Sequence, residues 1–510
     1  MKLTLLCTFL FATTAVICQN SSPGIFTNHA DVGNPRVKGD LAYNPSDQSY
    51  NIKGGGYNIW FNRDEFHYAY KKLKGDFILT ANLKLLGAGK DPHRKIGWMV
   101  RASEQEDAVH MSATVHGDGL TVLQWRRLRG AHMRDPQDEL FSAKKNVEII
   151  QLERMGKWYI MRIANAGEPL QEIGRTDQID LPDEVLAGIF LCSHNADTQE
   201  EGLAWNVRIE LPVPDSHNGY RDGTLSSRME TMNVFDGKRK VIHEYAGRFE
   251  APNWMPDGKR LLFNQGGSIY TIPIEGGTPE KLNTGTAARN NNDHVISFDG
   301  KWLGISSHRD GMPGGGSTVY YLPLTGGDPK LLTDSTPSYL HGWSRDGKEM
   351  LYTAQRISKS PIYNIFKKPI NGGPEVQLTH NTKGLSDGPE YSPDGKYIYY
   401  NANQTGTMQI WRMKTDGTGQ EQLTFDEYNN WFPHISPDNK WMVIISFPTT
   451  IDPGDHPFYK RVMLRLMPVN GGAPKVIAYL YGGQGTINTP SWSPDSKSIA
   501  FVSNTGPILK

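Results

Sequence analysis

The chain is poor in cysteine: there are three in 510 residues, and two of them, Cys7 and Cys18, lie in the first eighteen. Cys192 alone remains beyond that stretch, so a disulfide framework is excluded and stability must come from packing. Net charge is lacking as well. With 54 basic and 54 acidic residues there is no electrostatic case for nucleic acid or for an anionic membrane surface, and no nucleic-acid partner is expected. Long apolar runs are missing too. The one candidate, Leu3 to Ile17, falls short of the roughly 20 residues a spanning helix needs, so no transmembrane segment is expected.

That short run follows Lys2 and precedes the polar Gln19-Asn20-Ser21-Ser22, the layout of a secretory signal. Residues 1–18 are therefore expected to be removed on export to the periplasm. Cys18 stands where a bacterial lipoprotein carries its lipidated cysteine, although Ile17 is bulkier than the Gly or Ala usual before it. A lipid-anchored outer-membrane form is the alternative.

Helical periodicity is the last absence, and what replaces it is turn chemistry: 53 Gly, 32 Pro, and 12 Trp, 22 Tyr and 18 Phe favour many short strands. A turn motif recurs six times: MPDG, SFDG, SRDG, SPDG, SPDN and SPDS, with aspartates Asp257, Asp299, Asp346, Asp394, Asp438 and Asp495. The spacings of 42, 47, 48, 44 and 57 residues match a four-stranded propeller blade of about 40 to 50 residues. The longest accommodates a loop around Pro448 to Tyr459. A second strand-turn-strand marker follows each of the first five motifs, as in TVYYLPLTGGDPKLL. After the sixth, only KSIAFVS remains. The missing half blade appears upstream as SSRMETMNVFDGKRKVI (226–242), so the two ends are expected to complete one blade and close a ring of six.

These segments resemble the TolB-like six-bladed propellers built from WD40-like (PD40) "SPDGK" repeats, over about residues 213–510. NNDHVISFDGKW, YLHGWSRDGK, DGPEYSPDGKYIY and GGQGTINTPSWSPDS carry a resemblance to exported bacterial proteins of the TolB family. Residues 23–212 lack the motif but alternate as strands, for example KIGWMVRAS, LTVLQWRRLR and EIIQLERMGKWYIMRIA. They resemble the DUF1349-type concanavalin-like jelly rolls, which implies a carbohydrate-facing accessory module. The expected fold class is all-β, a six-bladed β-propeller preceded by a concanavalin-like jelly-roll β-sandwich. Arg101, His116, Gln124 and Arg126 are read either as lining a polar-ligand face of that sandwich or as an ordinary solvated face.

In a propeller the innermost strands converge on one axis, so residues before each turn motif are gathered there. They are chemically rich: Asn292, Asp293 and His294; Tyr339 and His341; Asp387 and Glu390; Asn430, Trp431 and His434; Gln484 and Asn488. Three uses compete. The first is a binding site, with Trp431 and Tyr339 as stacking platforms and amides and carboxylates as hydrogen-bonding partners, suited to a glycan or oligosaccharide. The second is a carbohydrate-active lyase or hydrolase with His294, His341, His434 and Glu390 as catalytic candidates. There the three histidines could hold a divalent metal, Mn²⁺ or Zn²⁺, as similarity to the oligogalacturonate-lyase propellers implies. The third is a scaffold for cell-envelope proteins. His294 and His341 lie five residues before their turn aspartate but His434 and Glu390 four, so on strands of period two the sets need not point the same way. The Gly-rich GGQGTIN (482–488) lacks the Lys-Ser/Thr of a phosphate loop and reads as a loop at the channel mouth. No GxSxG elbow is present, and His308, Arg309 and Asp310 read as a structural loop.

Overall fold

The computed structural model describes residues 23–356 and 362–507. The leader, with Cys7 and Cys18, lies outside the described residues. Among those residues all regular structure is strand apart from one short 3-10 turn at Gly314–Gly316, and no helix is long and apolar enough to cross a membrane.

The N-terminal part is two seven-stranded antiparallel sheets. One runs Asn28–Val32, Phe66–Lys74, Glu184–Cys192, Lys95–Arg101, His110–His116, Thr121–Arg126, Glu139–Phe141 in spatial order. The other runs Gln171–Thr176, Trp158–Ala164, Ile149–Met155, Phe77–Leu85, Glu200–Glu210, Ser49–Gly54, Asp40–Asn44. They face each other across one core that includes Trp98, Met111, Leu123, Phe77, Ile150 and Met161, as alternation predicts for a sandwich. Cys192 is buried and free.

The outer face of the first sheet is also covered. Arg101 and Arg126, expected on a ligand-binding or solvated face, are fully buried. Asp64, on the loop before the second strand of that sheet, takes Arg101 at 2.8 Å and Arg126 at 2.5 Å. The Arg126 guanidinium also donates to the carbonyls of Phe61 and Ala131. Gln124 donates to Glu139 at 2.6 Å, and His116 is buried. Loops folded over the sheet turn these four positions into interior, where Arg101, Gln124 and Arg126 find hydrogen-bond partners while the ring nitrogens of His116 have none among the described residues.

Residues from Ser226 onward form six blades. Five are complete four-stranded antiparallel sheets, beginning at Phe249, Asn290, Ser338, Ser386 and Asn429. The closing blade pairs the C-terminal strand Ser498–Thr505 with Ser226–Asn233, which pairs with Arg239–Tyr245, and an isolated bridge from Trp492 to Ile499 adds the inner edge. The two ends of the repeat therefore do complete one blade.

The turn motif has a local physical cause. In SFDG, Asp299 accepts from Lys301 N at 3.1 Å, while Ser297 Oγ donates to that carboxylate at 2.7 Å and accepts from Trp302 N at 3.0 Å. The same bonds recur at Ser344–Asp346, Ser392–Asp394, Ser436–Asp438 and Ser493–Asp495. The fourth position is left-handed: Gly in four motifs, and Asn439 (φ 59) and Ser496 (φ 61) in the others, a conformation Gly adopts without strain. Two of the tryptophans before the motif stitch blades together, Trp343 Nε1 donating to Val295 O and Trp492 Nε1 to His434 O, each at 2.9 Å.

The sandwich is bonded to the ring at the closing and fifth blades. Gln48 exchanges two hydrogen bonds with the main chain of Val241 (2.9 and 3.0 Å), and Val476 N donates to Gly167 O at 3.0 Å. Buried Arg208 of the sandwich meets Glu230 of the closing blade at 2.7 Å.

Candidate functional site

Every innermost strand of the five complete blades breaks register before its turn motif: between Glu250 and Asn253, Asn290 and His294, Leu340 and Gly342, Asp387 and Glu390, and Trp431 and His434. A bulge of this kind re-aims side chains. In blades one, four and five it carries a residue in left-handed conformation, Ala251 (φ 54), Gly388 (φ 58) and Phe432 (φ 51), which for Ala251 and Phe432 is the kind of local strain that gathers at functional sites. As a result the residue seven positions before the turn aspartate faces the axis in every blade. Glu250, Asn292, Tyr339, Asp387, Trp431 and Asn488 form this ring, and all six line a cavity of about 560 Å³.

Asp293, His341 and Gln484 line it as well, joined by Tyr220, Arg248, Tyr363 and His456. The position of Gln484 and Asn488 puts the GGQGTIN loop at this cavity. His341 enters because the third blade's bulge falls on His341 itself, one place off the pattern of its neighbours. His308 reaches the cavity wall, its Nδ1 lying 2.7 Å from Gly315 O.

The remaining candidates are turned away. His434 Nδ1 is 2.7 Å from Glu390 Oε2 and its Nε2 2.5 Å from the Ile487 carbonyl, while Glu390 Oε1 accepts from Ile435 N at 3.1 Å. The pair is a buried brace linking blades four, five and six. His294 is wholly buried against the backbone of Ala251 and Leu262, and burial drives its pKa down to about 4. Asn430 is held by Gln409, Thr424, Asp426, Ser446 and Arg465. The three histidines expected to share a metal thus do not converge, because the bulges rotate His294 and His434 off the axis. Among the described residues no three His, Cys, Asp or Glu side chains are grouped to hold a metal ion.

Within the cavity, charge is organised around His341. Its Nε2 lies 3.3 Å from Asp387 Oδ1, and His456 Nε2 approaches the other oxygen at 3.9 Å. Burial opposes ionisation of Asp387, but the hydrogen bond and charge of His341, with help from His456, overcome it and hold the carboxyl down to about 2. For His341, burial is likewise outweighed, by Asp387, Asp293 and the Asn488 backbone, and its pKa is raised. Asp293 behaves oppositely. Burial pushes it up to about 7, reinforced by Asp387 and Glu250 against the pull of His341. Burial also raises Glu250. One cavity therefore holds two carboxyls whose surroundings push their pKa values in opposite directions, Asp387 down and Asp293 up, with aromatic rings and amides beside them.

Fold and cavity define a propeller protein with a polar axial site. The TolB β-propeller domain (PD40) model matches residues 342–451. An uncharacterized protein of Agrobacterium fabrum is 44% identical over 281 residues, 55% of this chain and 93% of that protein. A solved structure from Agrobacterium tumefaciens, provisionally named TolB, is 43% identical with a TM-score of 0.52, covering 56% of this chain and all of that one. The crystal structure of TolB from Acinetobacter baumannii matches at 16% identity and a TM-score of 0.39, over 59% of this chain and 77% of that one. The chain belongs to the TolB-like PD40 β-propeller family. The matched lengths leave the function of the cavity to its own chemistry.

Sequence reasoning named eight of the residues that line this cavity but missed, among others, Glu250, Tyr220, Arg248, Tyr363 and His456. Glu250 was findable, since it occupies the same place before MPDG as Asp387 does before SPDG. The others come from loops and connections outside the repeat.

Proposed function

We propose that this is an exported, periplasmic propeller protein that binds a glycan in the axial cavity. The ring of one residue per blade carries the reading: no member is aliphatic, and two carboxylates, two amides and two aromatic rings open onto one space. Sugars need this combination, polar side chains for hydroxyl groups and flat rings for the apolar face of the pyranose. The sandwich is proposed as a concanavalin-like accessory module. The test is a glycan array with the mature protein, followed by calorimetry of the hits on wild type and Asp387→Asn. Affinity is expected to fall at least about tenfold in the variant. An empty array, or affinity unchanged in the variant, rejects the site, and a captured envelope protein without glycan affinity would favour a scaffold.

The pairing of Asp293 and Asp387 supports a second reading, a carbohydrate-active lyase or hydrolase. Carboxyls whose surroundings push their pKa values apart can serve as acid and base at one pH. The roles would then fall to Asp293, His341 and Asp387 rather than to His294, His434 and Glu390. Release of reducing ends or of unsaturated product from uronate-containing oligosaccharides, lost in Asp293→Asn, is the corresponding assay.

A further inference from the structure

Most charges around the cavity are answered within the protein. Asp387 is matched by His341. Arg248 lies over the rings of Tyr220 and Phe458, 5.4 and 4.8 Å from their centroids, and reaches Glu250 at 3.9 Å. Asp293 differs. Its side chain lines the cavity and the residue is only 5% exposed. The described residues offer its carboxyl no hydrogen bond and no ion pair; only its main-chain N–H is held, by Asn291 Oδ1 at 3.0 Å. Taking a carboxyl out of water without a partner is costly, and a fold that does so at the wall of an open cavity leaves room for a charge from outside.

The surroundings indicate which charge. Glu250 sits on the neighbouring blade's inner strand, and Tyr220 and Tyr339 line the same cavity, so two carboxyls and two tyrosine side chains share the space. A divalent cation would need several converging ligands, and no such group of three exists among the described residues. An ammonium needs only acceptors and ring faces. We propose that Asp293 anchors the ammonium group of the ligand, with Glu250 as the second carboxylate and Tyr220 and Tyr339 beside it, so that the site selects an amino sugar with a free amine over its N-acetylated form. This rests on the glycan reading above for the sugar, but not for the amine.

Two matched pairs of probes separate the two claims: glucosamine tetramer against N-acetylglucosamine tetramer, and tetra-alanine with a free N-terminus against its N-acetylated form. Affinities are measured by calorimetry on wild type, Asp293→Asn and Glu250→Gln. Asp293→Asn is isosteric and removes a destabilised charge, so it is expected to fold. The expected result is a preference of about tenfold or more for the amine sugar, falling to near unity in Asp293→Asn and reduced in Glu250→Gln. A merely structural role would weaken both members of a pair equally and leave their ratio intact. Equal affinity within both pairs, or a ratio unchanged in Asp293→Asn, overturns the anchor. A preference seen only in the peptide pair keeps the anchor and removes the glycan reading. Binding of the acetylated sugar alone does the reverse, since a protonated Asp293 would then be donating to a neutral acceptor. No binding in either pair overturns both.

Discussion

Glu230→Gln should unfasten the ring at its closure. Glu230 is fully buried on the strand Ser226–Asn233 and accepts five hydrogen bonds. Two come from Arg208 of the sandwich (3.1 and 2.7 Å), two from Arg239 of the next strand (3.0 and 2.8 Å), and one from Ser503 Oγ of the C-terminal strand (2.6 Å). Burial alone would raise its pKa, but the two guanidiniums outweigh burial and leave the carboxyl far below its ordinary range. A glutamine keeps one acceptor, turns an NH₂ toward a guanidinium, and strands two buried cations. Breaking a buried pair in this way costs about 3 to 5 kcal/mol. Urea unfolding followed by tryptophan fluorescence at pH 7 should show that loss, and amide exchange in 498–505 should quicken by roughly two to three and a half orders of magnitude, at about 1.4 kcal/mol per decade. Because the folded pKa is depressed, the contribution is complete above the unfolded value of about 4.3 and is lost as pH falls below it. Replacing the triad by apolar residues of similar volume, Glu230→Met with Arg208→Met and Arg239→Leu, should recover most of the loss. A Glu230→Gln variant within about 1 kcal/mol of wild type would refute this account of the closure.

Asp293→Asn should stabilise the protein in a pH-dependent manner. Its folded pKa of about 7 lies above the unfolded value of about 3.9, so the native state binds the extra proton and wild-type stability falls as pH rises from 4 to 7. The variant should gain on the order of 2 to 4 kcal/mol at pH 8 and nothing at pH 4, read from denaturation at both values. His434→Gln should cost about 1 to 3 kcal/mol by removing the side-chain partner of buried Glu390, yet leave ligand affinity within twofold, and a large affinity loss in folded protein would return His434 to the site. Ser344→Ala removes the acceptor of Lys348 N and Glu349 N and should cost about 1 kcal/mol in thermal or urea unfolding without touching the cavity.

The blades were legible because their cause is local: Asp-Gly turns fastened by their own Ser and Asp can be counted without knowing what packs where. Ring closure followed from the half blade left at each end. The cavity was legible in part. Its residues stand before the turns, as convergence requires, but strict alternation could not tell position seven from positions four and five, since bulges set by Ala251, Gly388 and Phe432 change the phase. His341 was placed where it belongs, while His294, with identical spacing, was turned into the core. The Arg101–Asp64–Arg126 cluster shows the complementary limit. Alternation assigned those arginines to the outer face, but nothing local shows that a distant loop folds over it with Asp64. His456 was hidden in the long insertion of blade five.

Amide hydrogen exchange with and without the strongest glycan hit tests the central claim most directly. Protection should appear together in 290–293, 339–341, 387–388, 454–456 and 484–488, segments far apart in sequence that share the axial cavity. Protection confined to the sandwich, or absent from these segments at saturating ligand, would contradict it.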